Sequence, residues 1–153
     1  MPRIVWSDEL EIGIGVIDGQ HRRIVDYINT LHEVGEHPDR SVVRGVIDDL
    51  VDYTFSHFAF EEALMEEAGY DALAIHRNTH RAFCERIEDL KLRFASGEDV
   101  AAELGELLQT WLVNHIMSDD ESYADLVKEK MPRIERKERG NWLGETVRRF
   151  FAH

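Results

Sequence analysis

Apolar residues recur every three or four positions along four segments of the chain, which is the spacing of one buried face of an α-helix. The segments cover residues 20–35, 41–68, 72–95 and 100–130. Short polar and glycine-containing stretches separate them, with Gly69 expected to stop the second helix and Ser41 expected to cap its N-terminus. Because the connections are short, the pattern predicts an all-α, up-down-up-down antiparallel four-helix bundle.

Both ends of the chain depart from this pattern. Residues 1–19 carry three glycines, which disfavour a steady helix, and are expected to form an ordered N-terminal arm across the bundle. The glycines are Gly13, Gly15 and Gly19. Residues 128–153 are interrupted by Pro132 and Gly140 and contain enough apolar residues for a short amphipathic helix. We therefore expect a bundle over residues 1–127 and a C-terminal extension over residues 128–153.

The role of the C-terminal extension is open at this stage. The last thirty residues carry eight basic and five acidic side chains, although the whole chain is acidic. Such a segment packs on its own bundle, docks a protein partner or a second subunit, or binds a membrane surface. The modest number of basic residues makes membrane binding the least favoured of the three.

The composition is that of one acidic globular domain. At 153 residues, with 43% hydrophobic and 32% charged residues, the chain is long enough for one core and too short for two. Its formal net charge of −13 repels phosphate backbones and argues against general nucleic-acid binding. No apolar run reaches the roughly 18 residues that span a bilayer, and no signal peptide is evident. The single cysteine, Cys84, fits a reducing compartment, so we expect a cytoplasmic protein.

Histidines and one glutamate interrupt the apolar stripes of all four helices. They are His21 on the first helix, His57 and Glu61 on the second, His76 and His80 on the third, and His115 on the fourth. Residues four apart lie about one turn apart on one helix face, so each pair can converge on a point inside the bundle. A single buried histidine is usually a hydrogen-bonded core residue, whereas so many buried polar groups without partners would be very costly. A bound metal is the simplest way to satisfy them.

The chemistry of these side chains favours two metal ions. Five imidazoles with at least two carboxylates exceed the ligand set of one tetrahedral zinc and suit two octahedral ions that share bridging carboxylates. A set without thiolate favours iron or manganese. Because few carboxylates surround the metals, we expect reversible O2 binding rather than O–O cleavage.

These six positions and Asp120 follow one another in a specific order along the helices. The motifs are His21 after Ile17-Asp18-Gly19-Gln20, His57-x-x-x-Glu61, His76-x-x-x-His80 and His115-x-x-x-x-Asp120, with Trp6, Trp111-Leu112 and Tyr123 around them. In this order and spacing the chain resembles the hemerythrins, and specifically the bacterial hemerythrin-like domains. The resemblance covers roughly residues 4–127. Any one pair is a weak signal, but the ordered set across four helices is very specific.

The resemblance implies a non-haem centre of two iron ions. By correspondence, one iron has three histidines, the other has two, and two carboxylates bridge them together with an oxo or hydroxo group. The ligands are then His76, His80 and His115 for the first iron, His21 and His57 for the second, and Glu61 and Asp120 for the bridge. The second iron keeps one open position, where the family binds O2 reversibly. The implied function is therefore oxygen storage, delivery or scavenging, with no enzymatic turnover.

One spacing in this set does not suit a regular helix. Asp120 follows His115 by five residues, which places the two side chains about 140° apart on an ideal α-helix. Asp119, four residues from His115, has the better α-helical geometry, but the family pattern selects Asp120. We therefore predict a wide turn or π-bulge within residues 117–119.

Apolar side chains are expected to surround the open iron position and to exclude water from bound O2. The residues expected in this wall are Ile24, Phe58, Trp111 and Leu112, each of which also suits ordinary bundle core. Cys84 is expected to fill the core. Three further histidines lie off the motif, and of these His32 is expected to be exposed, His37 to lie in a loop and His153 to be terminal.

Other functions of the same centre remain open. An O2 or redox sensor would signal through the C-terminal extension. A diiron peroxidase or nitric oxide reductase would need a substrate channel and a proton donor near the open iron. A zinc hydrolase is disfavoured because the stripes offer no spare general base.

Overall fold

A computed structural model describes residues 4–137, leaving out the side chains of residues 118–122 and 133–137. Within this range the chain is helical and contains no strand. The elements are a short 3-10 helix (Asp8–Leu10), α1 (Gly15–Val34), α2 (Arg40–Ala68), α3 (Leu73–Ala95), α4 (Ala101–Asn114), a π-helical segment (His115–Asp120) and α5 (Glu121–Lys137). The last three elements follow one another without a break and together form the fourth helix of the bundle.

The helices pack as the predicted four-helix bundle. α1 lies against α2 and α4, and α2 lies against α3 and α5. The predicted apolar stripes face inward, and residues such as Ile28, Leu50, Ile87 and Leu104 are at most 1% exposed. Burial of each such side chain contributes roughly 1.5–3 kcal/mol, which makes these stripes the main stabilising feature of the fold.

The first helix begins earlier than predicted. α1 starts at Gly15 and includes Gly19, whereas we expected residues 1–19 to lie outside a helix. Each helical glycine costs about 1 kcal/mol relative to alanine. Val16 and Ile17 are 3% and 0% exposed, so extending the helix buries two large side chains and outweighs that cost.

The N-terminal arm is therefore shorter than expected, and two polar side chains of α1 hold it in place. The amide of Asn29 accepts a hydrogen bond from the backbone of Ile4 and donates one back, at 2.9 and 3.0 Å. The carboxylate of Asp18 accepts from the backbone N–H groups of Ile12 and Gly13. Gly13 has φ 86°, a left-handed conformation that allows the arm to turn into α1.

The ends of α2 are fixed by two loop residues, of which one was predicted. Gly69 ends the helix in the left-handed conformation (φ 75°), as expected. The N-cap is Asp39 and not Ser41, because the Asp39 carboxylate accepts hydrogen bonds from the hydroxyl and backbone N–H of Ser41. These hydrogen bonds lower the pKa of Asp39 below its usual value.

The fourth helix contains the predicted distortion. The backbone of His115–Asp120 is π-helical, and this segment includes residues 117–119. An i→i+5 hydrogen-bond pattern widens the turn, so residues five apart come to lie about one turn apart. The backbone therefore has the geometry that a pairing of His115 with Asp120 requires, although the side chain of Asp120 lies outside the described part.

α5 crosses the expected boundary between bundle and extension without a break. It continues through Pro132 to Lys137, so the first ten residues of the range 128–153 prolong the fourth helix. The amphipathic helix expected further on, together with Gly140 and His153, lies outside the described residues.

One off-motif histidine differs from its prediction. His32, expected to be exposed, is partly buried between α1 and α4. A β-carbon added to Gly105 would lie 2.5 Å from Cε1 of the His32 ring, so the ring occupies the space that this glycine leaves. The prediction failed because it considered α1 alone and not the small residue that faces it.

Candidate metal centre

Six of the seven predicted ligand side chains meet inside the bundle. They are His21 from α1, His57 and Glu61 from α2, His76 and His80 from α3, and His115 at the start of the π-helical segment. All six are at most 4% exposed. The helical periodicity that buries the apolar stripes therefore also turns these polar side chains toward one another.

Three histidines surround one oxygen of Glu61. Its Oε1 lies 2.9 Å from Nε2 of His76, 3.0 Å from Nε2 of His80 and 3.6 Å from Nε2 of His115. The Nε2 atoms of His80 and His115 are themselves 3.0 Å apart. We call these three histidines with Oε1 of Glu61 the three-histidine half.

Two further histidines form a second group with Glu61. The Nε2 atoms of His21 and His57 are 3.1 Å apart, and Nε2 of His57 lies 3.6 Å from Oε2 of Glu61. We call this group the two-histidine half. One carboxylate thus lies between two sets of imidazole nitrogens, with one oxygen toward each.

The spacing of these atoms fits a metal ion in each half. Nitrogen and oxygen ligands about 2.1 Å from an octahedral ion lie about 3.0 Å from their neighbours. In each half the ligand atoms lie within 4.8 Å of one another, and neither half includes a cysteine. Imidazole with carboxylate oxygen is the ligand chemistry of iron, manganese and related metals.

The charge of the centre is that of an ionised carboxylate among imidazoles. Burial alone would raise the pKa of Glu61, but hydrogen bonds with His115, His76 and His80 hold that pKa well below its usual value. Tyr123, which is fully buried, also donates a hydrogen bond to Oε2 of Glu61 at 2.7 Å. Glu61 is therefore kept as the anion that bridging two cations requires.

Two polar side chains that the sequence analysis did not assign contact Nδ1, the ring nitrogen that faces away from the centre, in two of the histidines. Nδ1 of His57 donates to the amide oxygen of Gln20, and Nδ1 of His80 donates to Oε2 of Glu62 at 3.2 Å. When a metal ion is bound, a proton held on Nδ1 would leave the lone pair of Nε2 free to coordinate that ion, in place of the contact that Nε2 makes with Glu61. Gln20 and Glu62 each adjoin a predicted ligand in sequence, and that adjacency is the signal that was available.

Aromatic rings cover the three-histidine half. Phe58 stacks on His80 at a centroid distance of 4.0 Å, and Trp111 stacks on His115 at 4.2 Å. Phe83, which the sequence analysis did not assign, stacks on the far face of Trp111 at 4.0 Å. Phe58 also faces the ring of His57 at 5.8 Å, so it contacts both halves.

The other two residues predicted for the apolar wall belong to the buried core. Ile24 and Leu112 are 1% and 2% exposed and pack in the apolar cluster that includes Phe58. An open cleft of about 600 Å³ between α3 and α4 reaches Trp111 and His115. The cleft approaches the three-histidine half and not the two-histidine half, where the family resemblance expects the open iron position.

Among the described residues, no helix is both long and apolar enough to cross a membrane.

Comparison with known proteins agrees with this arrangement. The family model described as the hemerythrin HHE cation binding domain matches residues 12–127. A bacteriohemerythrin of Stenotrophomonas maltophilia is 51% identical over 99% of this chain and all of its own length. One of Methylococcus capsulatus is 34% identical over 81% of this chain and 96% of its own length. A crystal structure of wild-type hemerythrin superposes with a TM-score of 0.78 at 31% identity, covering 82% of this chain and 98% of that one.

Proposed function

The chain belongs to the hemerythrin family, whose members bind O2 at a non-haem diiron site, and from this premise we propose that its two halves hold two iron ions that bind O2 reversibly. When bound, such a pair of ions supplies an open coordination position and the two electrons that reversible O2 binding uses. The observation that carries the proposal is the carboxylate of Glu61, whose two oxygens face two separate groups of histidines. One shared anion between two imidazole groups is the arrangement that two neighbouring cations need.

The proposed ligands are the seven residues that the sequence indicates. Their assignment is His76, His80 and His115 to one ion, His21 and His57 to the other, and Glu61 with Asp120 to both. The convergence of the first six supports this assignment. The π-helical backbone supports the choice of Asp120 over Asp119, because the wider turn suits a pair of residues five positions apart.

The side chains around the ligands are proposed to keep water away from bound O2. Ile24, Phe58, Trp111 and Leu112 form this wall. The burial of Ile24, Phe58 and Leu112 supports the role, as does the contact of Phe58 with His57 in the two-histidine half, whereas Trp111 is partly buried and stacks on His115. An apolar environment disfavours separation of charge, so it opposes loss of the bound molecule as superoxide.

Metal analysis with an optical spectrum tests the function. The purified protein is reduced without oxygen, exposed to O2 and then purged, with absorption recorded at each step. We expect two iron ions per chain and ligand-to-metal bands that appear with O2 and vanish on purging. Iron that oxidises once and never recovers would favour a sensor or a diiron enzyme, and zinc in place of iron would contradict the proposed centre.

The C-terminal extension is proposed to contact a protein partner or a second copy of the chain. The S. maltophilia relative matches 99% of the chain, whereas the match to the M. capsulatus protein covers 81% of this chain and 96% of its own length, so part of this chain has no counterpart in that relative. Light scattering of the full chain and of a chain ending at residue 137 tests self-association. If the two chains have the same mass per subunit in solution and also capture the same proteins from a cell extract, the proposed contact through the extension is contradicted.

The cytoplasm is the proposed location. Cys84 is the single cysteine of the chain and its thiol is free. Detection of the protein by antibody in fractionated cells tests this, and recovery from the periplasm would contradict it.

A further inference from the structure

The outer nitrogens of two histidines have partners of different charge. Nδ1 of His57 donates to a neutral amide, that of Gln20, whose side chain is fully buried. Nδ1 of His80 donates to a carboxylate, that of Glu62, whose side chain is 22% exposed. The two halves of the centre therefore differ in the groups behind their histidines as well as in the number of histidines.

An arginine holds the Glu62 carboxylate in this position. Nε of Arg77 lies 3.3 Å from Oε1 of Glu62, which leaves Oε2 directed toward His80. The guanidinium of Arg77 also contacts Glu66 at 3.3 Å on the surface. Arg77 thus orients Glu62 from the side opposite the histidine.

A carboxylate and an amide do not affect an imidazole equally. A hydrogen bond from Nδ1–H to an anion is stronger than one to a neutral oxygen, and it places more electron density on Nε2. Although the contact of His80 with Glu62 is the longer of the two (3.2 Å against 2.5 Å), the charge of the partner makes His80 the stronger donor toward a metal. Partners of this kind change metal affinity by about 10- to 100-fold when they are removed.

We propose that Glu62, oriented by Arg77, is a positioning residue that raises the iron affinity of the three-histidine half and so makes the chain release its two ions in a fixed order. The ion in the two-histidine half leaves first and the ion beside His80 leaves last. This inference rests on the proposed diiron function. The inference concerns the relative iron affinity of the two halves. The number of histidines in each half does not by itself determine that affinity.

Stepwise removal of iron from the loaded protein tests the proposal. The diferrous protein is titrated without oxygen with a coloured ferrous chelator, and the iron withdrawn per chain is counted by absorbance. The wild type should release one ion and then, at a higher chelator concentration, the second. E62Q keeps a hydrogen-bond acceptor but removes the charge, and should lower the concentration needed for the second step by about 10- to 100-fold.

Two further variants separate a positioning role from a general structural one. Glu66 also contacts Arg77 and has no histidine partner in the part of the chain that the structure describes, so E66Q should leave both steps within about twofold of the wild type. Gln20→Glu places a carboxylate behind His57 and should shift the first step to a higher chelator concentration. Circular dichroism of each loaded variant checks that the helices are intact.

The possible results are distinguishable. A second step that shifts in E62Q and not in E66Q supports the inference. If E62Q and E66Q release iron at the same chelator concentrations, or if both steps of E62Q move together to lower chelator concentrations, the inference is overturned while the diiron function stands. A chain that holds no iron would overturn both.

Discussion

The two halves of the metal centre share Glu61 but are built differently. In the three-histidine half, Phe58 and Trp111 stack on two of the imidazoles, and a carboxylate stands behind His80. In the two-histidine half the rings of His21 and His57 meet edge to face at 4.7 Å, and an amide stands behind His57. The first half is restrained by stacked rings and by a charged, partly exposed partner, whereas the second is fully buried beside a neutral partner.

The most damaging change removes the carboxylate that the halves share. Glu61→Ala should abolish iron binding in both halves, because five buried imidazoles would remain with Asp120 as the one proposed carboxylate to offset two cations. Elemental analysis of the purified variant measures this, with the exposed Asp52→Asn on the same helix as the control. Retention of two iron ions by Glu61→Ala would contradict the bridging role.

Removal of one ligand from the two-histidine half should abolish metal binding in that half and leave it in the other. His21→Ala leaves the three-histidine half and Oε1 of Glu61 intact, so about one iron per chain should remain and the O2-dependent bands should disappear. Iron content and the optical spectrum together report the outcome. If His21→Ala lost both ions, as expected for Glu61→Ala, the halves would not be separable.

Removal of an aromatic ring beside the three-histidine half should lower the stability of the fold without removing a ligand. Trp111 is partly buried between Phe83 and His115, so Trp111→Ala should lower the free energy of unfolding by about 3 kcal/mol. Trp111→Phe keeps a ring in the stack and should cost less. Urea denaturation of the loaded proteins measures both, and equal stability of Trp111→Ala and the wild type would show that the stack is not stabilising.

The smallest expected effect is on the rate at which the thiol of Cys84 reacts, because this rate reports the charge on Glu62. Burial raises the pKa of Cys84 to about 11, and the carboxylates of Glu62 and Glu88 add to the increase. At pH 8 about one thiol in a thousand is then ionised, so reaction with a thiol reagent should be slow. E62Q and Glu88→Gln should each speed it, but only E62Q should alter iron release. Fast labelling of the wild type at pH 8 would contradict the raised pKa.

Helical periodicity was sufficient to predict the bundle and the meeting of six side chains. The spacing of His57 with Glu61 and of His76 with His80 fixes which helix face each occupies, and burial of the apolar stripe then fixes where that face points. The π-helical segment was predictable only with the family resemblance, which selects Asp120 over the geometrically better Asp119 and so implies a five-residue spacing that conflicts with an α-helix. These features depend on the spacing of residues along one helix and on burial of its apolar stripe.

Contacts between particular side chains on two helices, other than the meeting of the ligands, were not predicted. Gln20 and Glu62 act through contacts with histidines on other helices, and their identity gives no indication of which ring they reach. The early start of α1 depends on the burial of Val16 and Ile17 against the rest of the bundle. In each case the energy that decides the outcome comes from packing between elements, and the periodicity of a single segment does not contain it.

The π-helical segment also sets the register of everything that follows it. α4 packs on α1, whereas α5 packs on α2, where Tyr123 reaches Glu61. Loss of one residue between His115 and Asp120 would turn all of α5 by about 100° about its axis and carry Tyr123 away from the carboxylate. The length of this segment is thus constrained in addition to the identity of its two ends, so a substitution between His115 and Asp120 should disturb the centre less than a single-residue insertion or deletion.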